Sequence, residues 1–96
     1  MAHGTHDYAD DPRNASIRIS INGEIFPRDE AKVSVFDSGY ILGDGVWEGL
    51  RFHNGAVFQV DQHLKRLYEG ARALDMDIGL TPEEMTERVV ATCAAN

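Results

Sequence analysis

Arg66 lies in the run His63-Leu64-Lys65-Arg66-Leu67. A guanidinium here could clamp an anion. Its planar fork of donors pairs bidentately with phosphate and stays charged at any working pH. Two readings of Arg66 stand. It holds an anion, or it is a solvated helix arginine paired with Glu69, three residues on and on the same helix face. The positions four residues to either side, Gln62 and Gly70, add no acid to that pair. His63 reads as structural, for example hydrogen-bonded to backbone. The second suggestive run is Val46 to His53. At the two-residue period of a strand, Trp47, Gly49, Arg51 and His53 share one face, and Val46, Glu48, Leu50 and Phe52 the other. An aromatic, a residue with no side chain and a guanidinium could form a pocket wall. Trp47 would shape it, Gly49 would leave room and Arg51 would supply a fixed charge. The alternative is a sheet surface packed by the last helix, with Arg51 reaching solvent. Glu48, on an otherwise apolar face, needs a partner or it will protonate. Either it meets water near an edge or it forms a structural ion pair with an arginine. It is not read as a catalytic acid.

These side chains need elements to hold them. Residues 1–15 are polar, acidic and free of branched apolar residues, the pattern of a mobile tail in which His3 and His6 are solvated. Order begins at Ser16. Ile17, Ile19 and Ile21 alternate with polar residues as in a half-buried strand. Asn22-Gly23 is a type I′ hairpin signal, Ile25 and Phe26 begin the returning strand, and Pro27 ends it. Val33, Val35 and Phe36 suggest a further short extended stretch. Asp37 to Gly45 is a loop with room for one helical turn. Val46–His53 is a strand, Asn54-Gly55 a second hairpin turn, and Ala56–Val60 the partner strand. Asp61 is the expected N-cap of a helix to about Met76, with Leu64, Leu67, Tyr68, Ala71 and Leu74 as its apolar stripe. Thr81-Pro82-Glu83-Glu84 spells a capping box for a helix over 82–95. In that helix Met85, Val89 and Cys93 fall at four-residue steps, which makes Cys93 a core residue rather than a reactive thiol.

The bulk numbers exclude several classes. Ninety-six residues suffice for one domain with a modest core. A net charge of −7 opposes nucleic-acid binding and attraction to anionic membrane surfaces. One cysteine precludes an internal disulfide, and the scattered histidines have no zinc-ligand spacing. With no secretory signal and no apolar run near 18 residues, the expected location is the cytoplasm.

The order of these pieces resembles the N-terminal small domain of the fold-type IV (class IV) pyridoxal-phosphate enzymes. The pieces are the loop with Gly39, Gly43 and Gly45, a strand, an Asn-Gly turn, a second strand, and a helix start with His-x-x-Arg-Leu. That group includes branched-chain aminotransferases, D-amino-acid aminotransferases, R-selective amine transaminases and aminodeoxychorismate lyase. The resemblance runs from Ile17 to the final helix. It implies an α/β fold class of the α+β type: an antiparallel-rich sheet over about 16–60, built on two Asn-Gly hairpins, plus two helices. It also implies that residues 16–96 form the small domain, incomplete without the coenzyme domain.

The resemblance assigns roles residue by residue. Arg66 binds the phosphate of pyridoxal 5'-phosphate. Trp47, Gly49 and Arg51 of the run Trp47-Glu48-Gly49-Leu50-Arg51 line the substrate pocket, as in branched-chain enzymes. Tyr40 and Leu42 contribute from the loop. Leu42 stands where some branched-chain enzymes carry a tyrosine, so a hydroxyl contact is missing there. Asp37-Ser38-Gly39-Tyr40 and Gly43-Asp44-Gly45-Val46 resemble the D-amino-acid branch instead, so the two motifs point to different stereochemistries.

The implied reaction moves an amino group between an amino acid or amine and a 2-oxo acid, in a homodimer. The Schiff-base lysine has no counterpart here. Lys32 and Lys65 are the only lysines, and neither has the family's context. The chain alone is therefore expected to be inactive without the remainder of the enzyme. Three other readings remain: part of aminodeoxychorismate lyase, a non-catalytic dimerisation or binding module, and an unrelated small α/β binding domain.

Overall fold

The structure, a computed structural model, describes residues 9–96. Part of the expected tail, with His3 and His6, lies outside the described residues. Within the rest of it, Pro12–Asn14 form a single 3-10 turn, capped by Asp11, whose carboxylate also grips the Arg13 guanidinium at 2.7 Å.

Strands β1 (Arg18–Ile21) and β2 (Glu24–Pro27) form the first antiparallel hairpin. Its two turn residues, Asn22 at φ 53° and Gly23 at φ 84°, both have the positive φ of a type I′ turn. The open space at Gly23 is filled by the end of the flexible Arg88 side chain, whose guanidinium carbon would lie 2.8 Å from an added Cβ and would have to move aside. The outer edge of β1 is partly closed by a side chain. The Asn96 amide accepts from the Arg18 N–H at 2.7 Å and donates to the Arg18 carbonyl at 3.0 Å, imitating a neighbouring strand.

Residues 33–36 are not a strand. They lead into a short helix α1 (Ser38–Leu42), whose N-terminus is capped by the Asp37 carboxylate accepting from the Gly39 N–H at 2.8 Å. Gly43, in the left-handed region, ends it.

The next region corrects the expected strand boundaries. Only β3 (Phe52–His53) and β4 (Ala56–Val57) pair, around an Asn54-Gly55 turn with positive φ at both residues. Residues 46–51 have no partner strand among the described residues, so an extended run there builds no ladder. The sheet is accordingly two separate hairpins. Even so, the two-residue period survives in burial: Val46, Glu48 and Leu50 are half-buried, and Trp47, Gly49 and Arg51 are exposed.

Helix α2 (Val60–Ala73) starts two residues earlier than the sequence suggests. Its N-cap is Gln59, not Asp61. Phe58 is tied back to the Arg51 carbonyl at 2.7 Å, and the chain must reverse at once into the helix, which Gln59 does at φ 52°. Asp61 sits instead in the first turn, where its charge favours the helix N-terminus. Helix α3 (Pro82–Ala94) has the capping box intact, Thr81 and Glu84 exchanging side-chain-to-backbone bonds in both directions. It packs on both α2 and β1.

The buried centre is small. Among the described residues, Leu64 and Ala71, two helical turns apart on α2, are the buried apolar ones. Leu67, Tyr68, Met85, Val89 and Cys93 surround them half-buried. The Tyr68 hydroxyl donates to the Leu80 carbonyl at 2.7 Å and so ties α2 to the connection before α3. No helix among the described residues is long and apolar enough to cross a membrane.

Candidate functional site

Three residues of α2, His63, Arg66 and Gly70, fall at helical spacing on one face. The segment 46–50 lies against that face by its even-numbered side. Val46 packs onto Gly70, where an added Cβ would meet Val46 Cγ1 at 3.2 Å, so the missing side chain lets the segment approach the helix. One step along, Glu48 lands between His63 and Arg66.

The contacts converge on a single oxygen. Glu48 Oε1 accepts from Arg66 Nη2 at 2.5 Å and from Arg66 Nε at 3.2 Å, and it lies 2.6 Å from His63 Nδ1. An ionised carboxylate only accepts, so the short contact to the imidazole requires the proton on Nδ1. Arginine only donates, so the 3.2 Å approach of Arg66 Nη2 to His63 Nδ1 is two donors meeting on one acceptor, not a bond between them. The Glu48 side chain is 16% exposed and that of Arg66 66%. The Arg66 bond first, then the His63 bond, hold the Glu48 carboxyl below its ordinary value of 4.5, against the opposing pull of burial. Glu48 in turn raises Arg66, so both ends of the pair stay ionised.

Of the two sequence readings of Glu48, the ion pair with an arginine is the one observed. Arg66 pairs with Glu48 and not with Glu69. The ring of His63 meets a carboxylate rather than the expected backbone partner. This triad was not legible as a unit in the sequence, because its members are 15 and 18 residues apart. The signal that could have located it is the match of two periodicities. The even face of 46–50 and the 63-66-70 face of α2 each carry polar residues that fall opposite one another.

The remaining candidates all lie in the open. Trp47, Gly49 and Arg51 lie on the side of the segment away from α2, and Trp47 is 84% exposed. Nothing among the described residues demands a glycine at 49. A Cβ would meet only the Trp47 ring, at an ordinary 3.4 Å. Tyr40 and Leu42, on α1, are also exposed. Lys65 points elsewhere, into the groove between α2 and α3, with Tyr68 and Pro82.

Chemically, the arrangement offers a charged guanidinium with one edge committed. The Nε–Nη2 edge faces Glu48. The two N–H groups of Nη1 and the second N–H of Nη2 lie on the other end of the fork and suit an anion with several oxygens.

A profile of the family described as amino-transferase class IV matches residues 45–96. A Methanocaldococcus jannaschii protein named, provisionally, a branched-chain-amino-acid aminotransferase is 46% identical over 80 residues, 83% of this chain and 28% of its own length. The branched-chain-amino-acid aminotransferase-like protein 1 of Arabidopsis thaliana is 45% identical over 85 residues, 88% of this chain and 15% of its own. The D-alanine aminotransferase of Staphylococcus haemolyticus is 40% identical over 72 residues, 75% of this chain and 26% of its own. The chain thus spans between about a seventh and under a third of the length of these relatives.

Proposed function

Because this chain belongs to the class IV aminotransferase family, we propose that it is the N-terminal part of an enzyme that moves an amino group between an amino acid or amine and a 2-oxo acid. In this reading the chain supplies one phosphate contact for pyridoxal 5'-phosphate and one wall of the substrate pocket. The coenzyme, when bound, supplies the electron sink for amino transfer. The lysine that would hold it covalently comes from outside these residues.

The observation that carries the reading is the state of Arg66. It is charged, mostly exposed and held by its inner edge, with its outer donors facing away from Glu48. That donor set fits a phosphate monoester. Trp47, Gly49 and Arg51 begin one residue from Glu48 on the opposite side of the same segment, so the two functions share one short stretch of chain. Gly49 supports a pocket role because the chain's own packing does not explain it.

The total surface supports an incomplete unit. The chain exposes 8093 Å², whereas a compact monomer of its 10.6 kDa mass exposes about 5,500 Å². Phe36, Tyr40, Ile41, Leu42, Trp47, Phe52 and Phe58 all stand uncovered between positions 36 and 58. The remainder of the polypeptide, in a dimeric enzyme, would pack there. Relatives named for branched-chain and for D-alanine substrates match at 46% and 40% identity, so the amino donor is read as an amino acid of either branch.

Titrating the full-length apo-enzyme with pyridoxal 5'-phosphate tests the reading. Arg66→Ala should raise the dissociation constant roughly 30- to 150-fold, the usual worth of a charge-assisted, bidentate contact. Arg66→Lys should recover only part, since a point charge does not reproduce the fork. Equal constants for wild type and Arg66→Ala would make Arg66 an ordinary surface residue.

A further inference from the structure

We infer that Glu48, braced by His63, is a positioning residue that presents Arg66 to the coenzyme phosphate. The inference rests on the phosphate reading of Arg66 and adds a residue that touches neither phosphate nor substrate. A free arginine side chain samples many rotamers, and anion binding must freeze them. Here the freezing is done in advance. Glu48 Oε1 takes both Nε and Nη2, which fixes the plane of the guanidinium and turns its Nη1 end outward. A carboxylate able to swing would not fix anything. Glu48 is kept from swinging by the His63 Nδ1–H on the same oxygen, and by Val46, which seats the segment on Gly70 two residues earlier.

The geometry also separates the roles. Glu48 is an acceptor and cannot bind an anion itself. Its negative charge would repel a phosphate if it were not already neutralised by the arginine it holds. His63 is spent on Glu48 through Nδ1 and lies on the inner side of the cluster, its side chain 19% exposed. The outer end of Arg66 is thus the only member of the triad presented to a ligand. The assembly links two parts of the chain far apart in sequence, the 46–50 segment and α2. The pocket wall and the phosphate clamp are therefore set relative to each other by one carboxylate.

The test uses the full-length polypeptide and compares apo-enzyme affinity for pyridoxal 5'-phosphate with affinity for pyridoxal, which lacks the phosphate. Glu48→Gln keeps the shape and removes the charge. It should weaken binding of the phosphorylated ligand about tenfold and leave pyridoxal binding within about twofold. Added to Arg66→Ala, Glu48→Gln should cause no further loss, because there is no guanidinium left to position. His63→Leu, which leaves the ion pair and removes its brace, should show the same pattern at smaller size. It also serves if Glu48→Gln fails to fold.

Wild-type affinity, or tighter binding, in Glu48→Gln with Arg66→Ala weakened would overturn the positioning role and leave the phosphate reading standing. Equal losses for both ligands, or a Glu48→Gln loss that adds in full to Arg66→Ala, would show a merely structural residue and overturn it likewise. Should Glu48→Gln not fold, wild-type affinity in His63→Leu would do the same. Unchanged affinity in Arg66→Ala would remove the phosphate reading and the inference together.

Discussion

Residues 60–94 and residues 33–58 are both rich in large apolar side chains, yet they meet opposite fates. In the first region the apolar residues recur at helical spacing, and two helices close on each other. Leu64 and Ala71 end 3% and 2% exposed, while Leu74 and Val90, at the margin of the stripes, stay about half exposed. In the second, Val33, Phe36, Tyr40, Trp47 and Phe58 remain more than half exposed. Only one side of its 46–50 segment is covered, and there Val46 sits on Gly70, Glu48 bonds Arg66 and His63, and Leu50 lines a groove with Ile19 and Val89. Apolar content alone therefore does not decide burial. A helix pair supplies two matching stripes from local sequence, whereas an extended run has two faces and finds a partner for only one within these residues. The uncovered face is also the one that carries the proposed pocket residues, so the part of the chain least stabilised by itself is the part assigned to function.

The strongest way to break this contrast is to truncate one residue from each region. Leu64→Ala should cost about 2–4 kcal/mol in the isolated chain, from lost burial plus the cavity left behind. Trp47→Ala in the same chain should stay within about 0.5 kcal/mol, as for other exposed positions. In the full-length polypeptide the Trp47 variant should become clearly more costly. Chemical denaturation of both forms measures this, and equal costs for the two variants in the isolated chain would erase the distinction. Trp47 is the sole tryptophan, so its emission should also shift to the blue when the rest of the polypeptide is present.

A smaller effect sharpens the helical side. Thr81→Ala removes the capping box of α3 and should cost about 1 kcal/mol, read as a shift in denaturation midpoint without a change in slope. The smallest effect is in pH. Glu48 and Glu84 are both held below the ordinary carboxylate value of 4.5, Glu48 by Arg66 and then His63, and Glu84 by the Thr81 backbone and then its side chain. A carboxyl with a lowered native value stabilises the fold fully above the unfolded value, and that contribution is lost as pH falls through the native one. Stability should thus decline below about 4.5. Glu48→Gln should lower stability in the neutral range, where the ionised carboxylate contributes, and flatten part of that acid limb. An acid limb identical to wild type would mean that the pair joining the two regions contributes nothing to the fold.

The features that could be read in advance are those whose partners sit a few residues away. Asn22-Gly23 and Asn54-Gly55 turn as expected because two residues with positive φ suffice to specify a type I′ turn. The Thr81–Glu84 capping box forms because both halves lie within one helical turn. The boundaries that moved are those that depend on a neighbour. Val46–His53 has the alternation of a strand, and burial follows it, but a ladder needs a second backbone and residues 46–51 have none among the described residues. The start of α2 moved because Phe58 is tied to Arg51, and the chain had to reverse at Gln59.

Sequence by itself determined the chemical inventory: a His-x-x-Arg-Leu helix start, an aromatic-Glu-Gly-Leu-Arg run, two tight turns and two amphipathic helices. It could not determine what Glu48 and Arg66 do for each other. A carboxylate on an apolar face and an arginine on a helix flank each have several local solutions, including Glu69 for the arginine and water for the carboxylate. Tertiary structure chose one, because Gly70 lets Val46 descend onto α2 and that descent puts Glu48 Oε1 within reach of both Arg66 and His63. The reason is distance dependence. Hydrogen bonds and ion pairs act over a few ångströms, and only the packing of one segment on another brings residues 15 to 18 positions apart within that range.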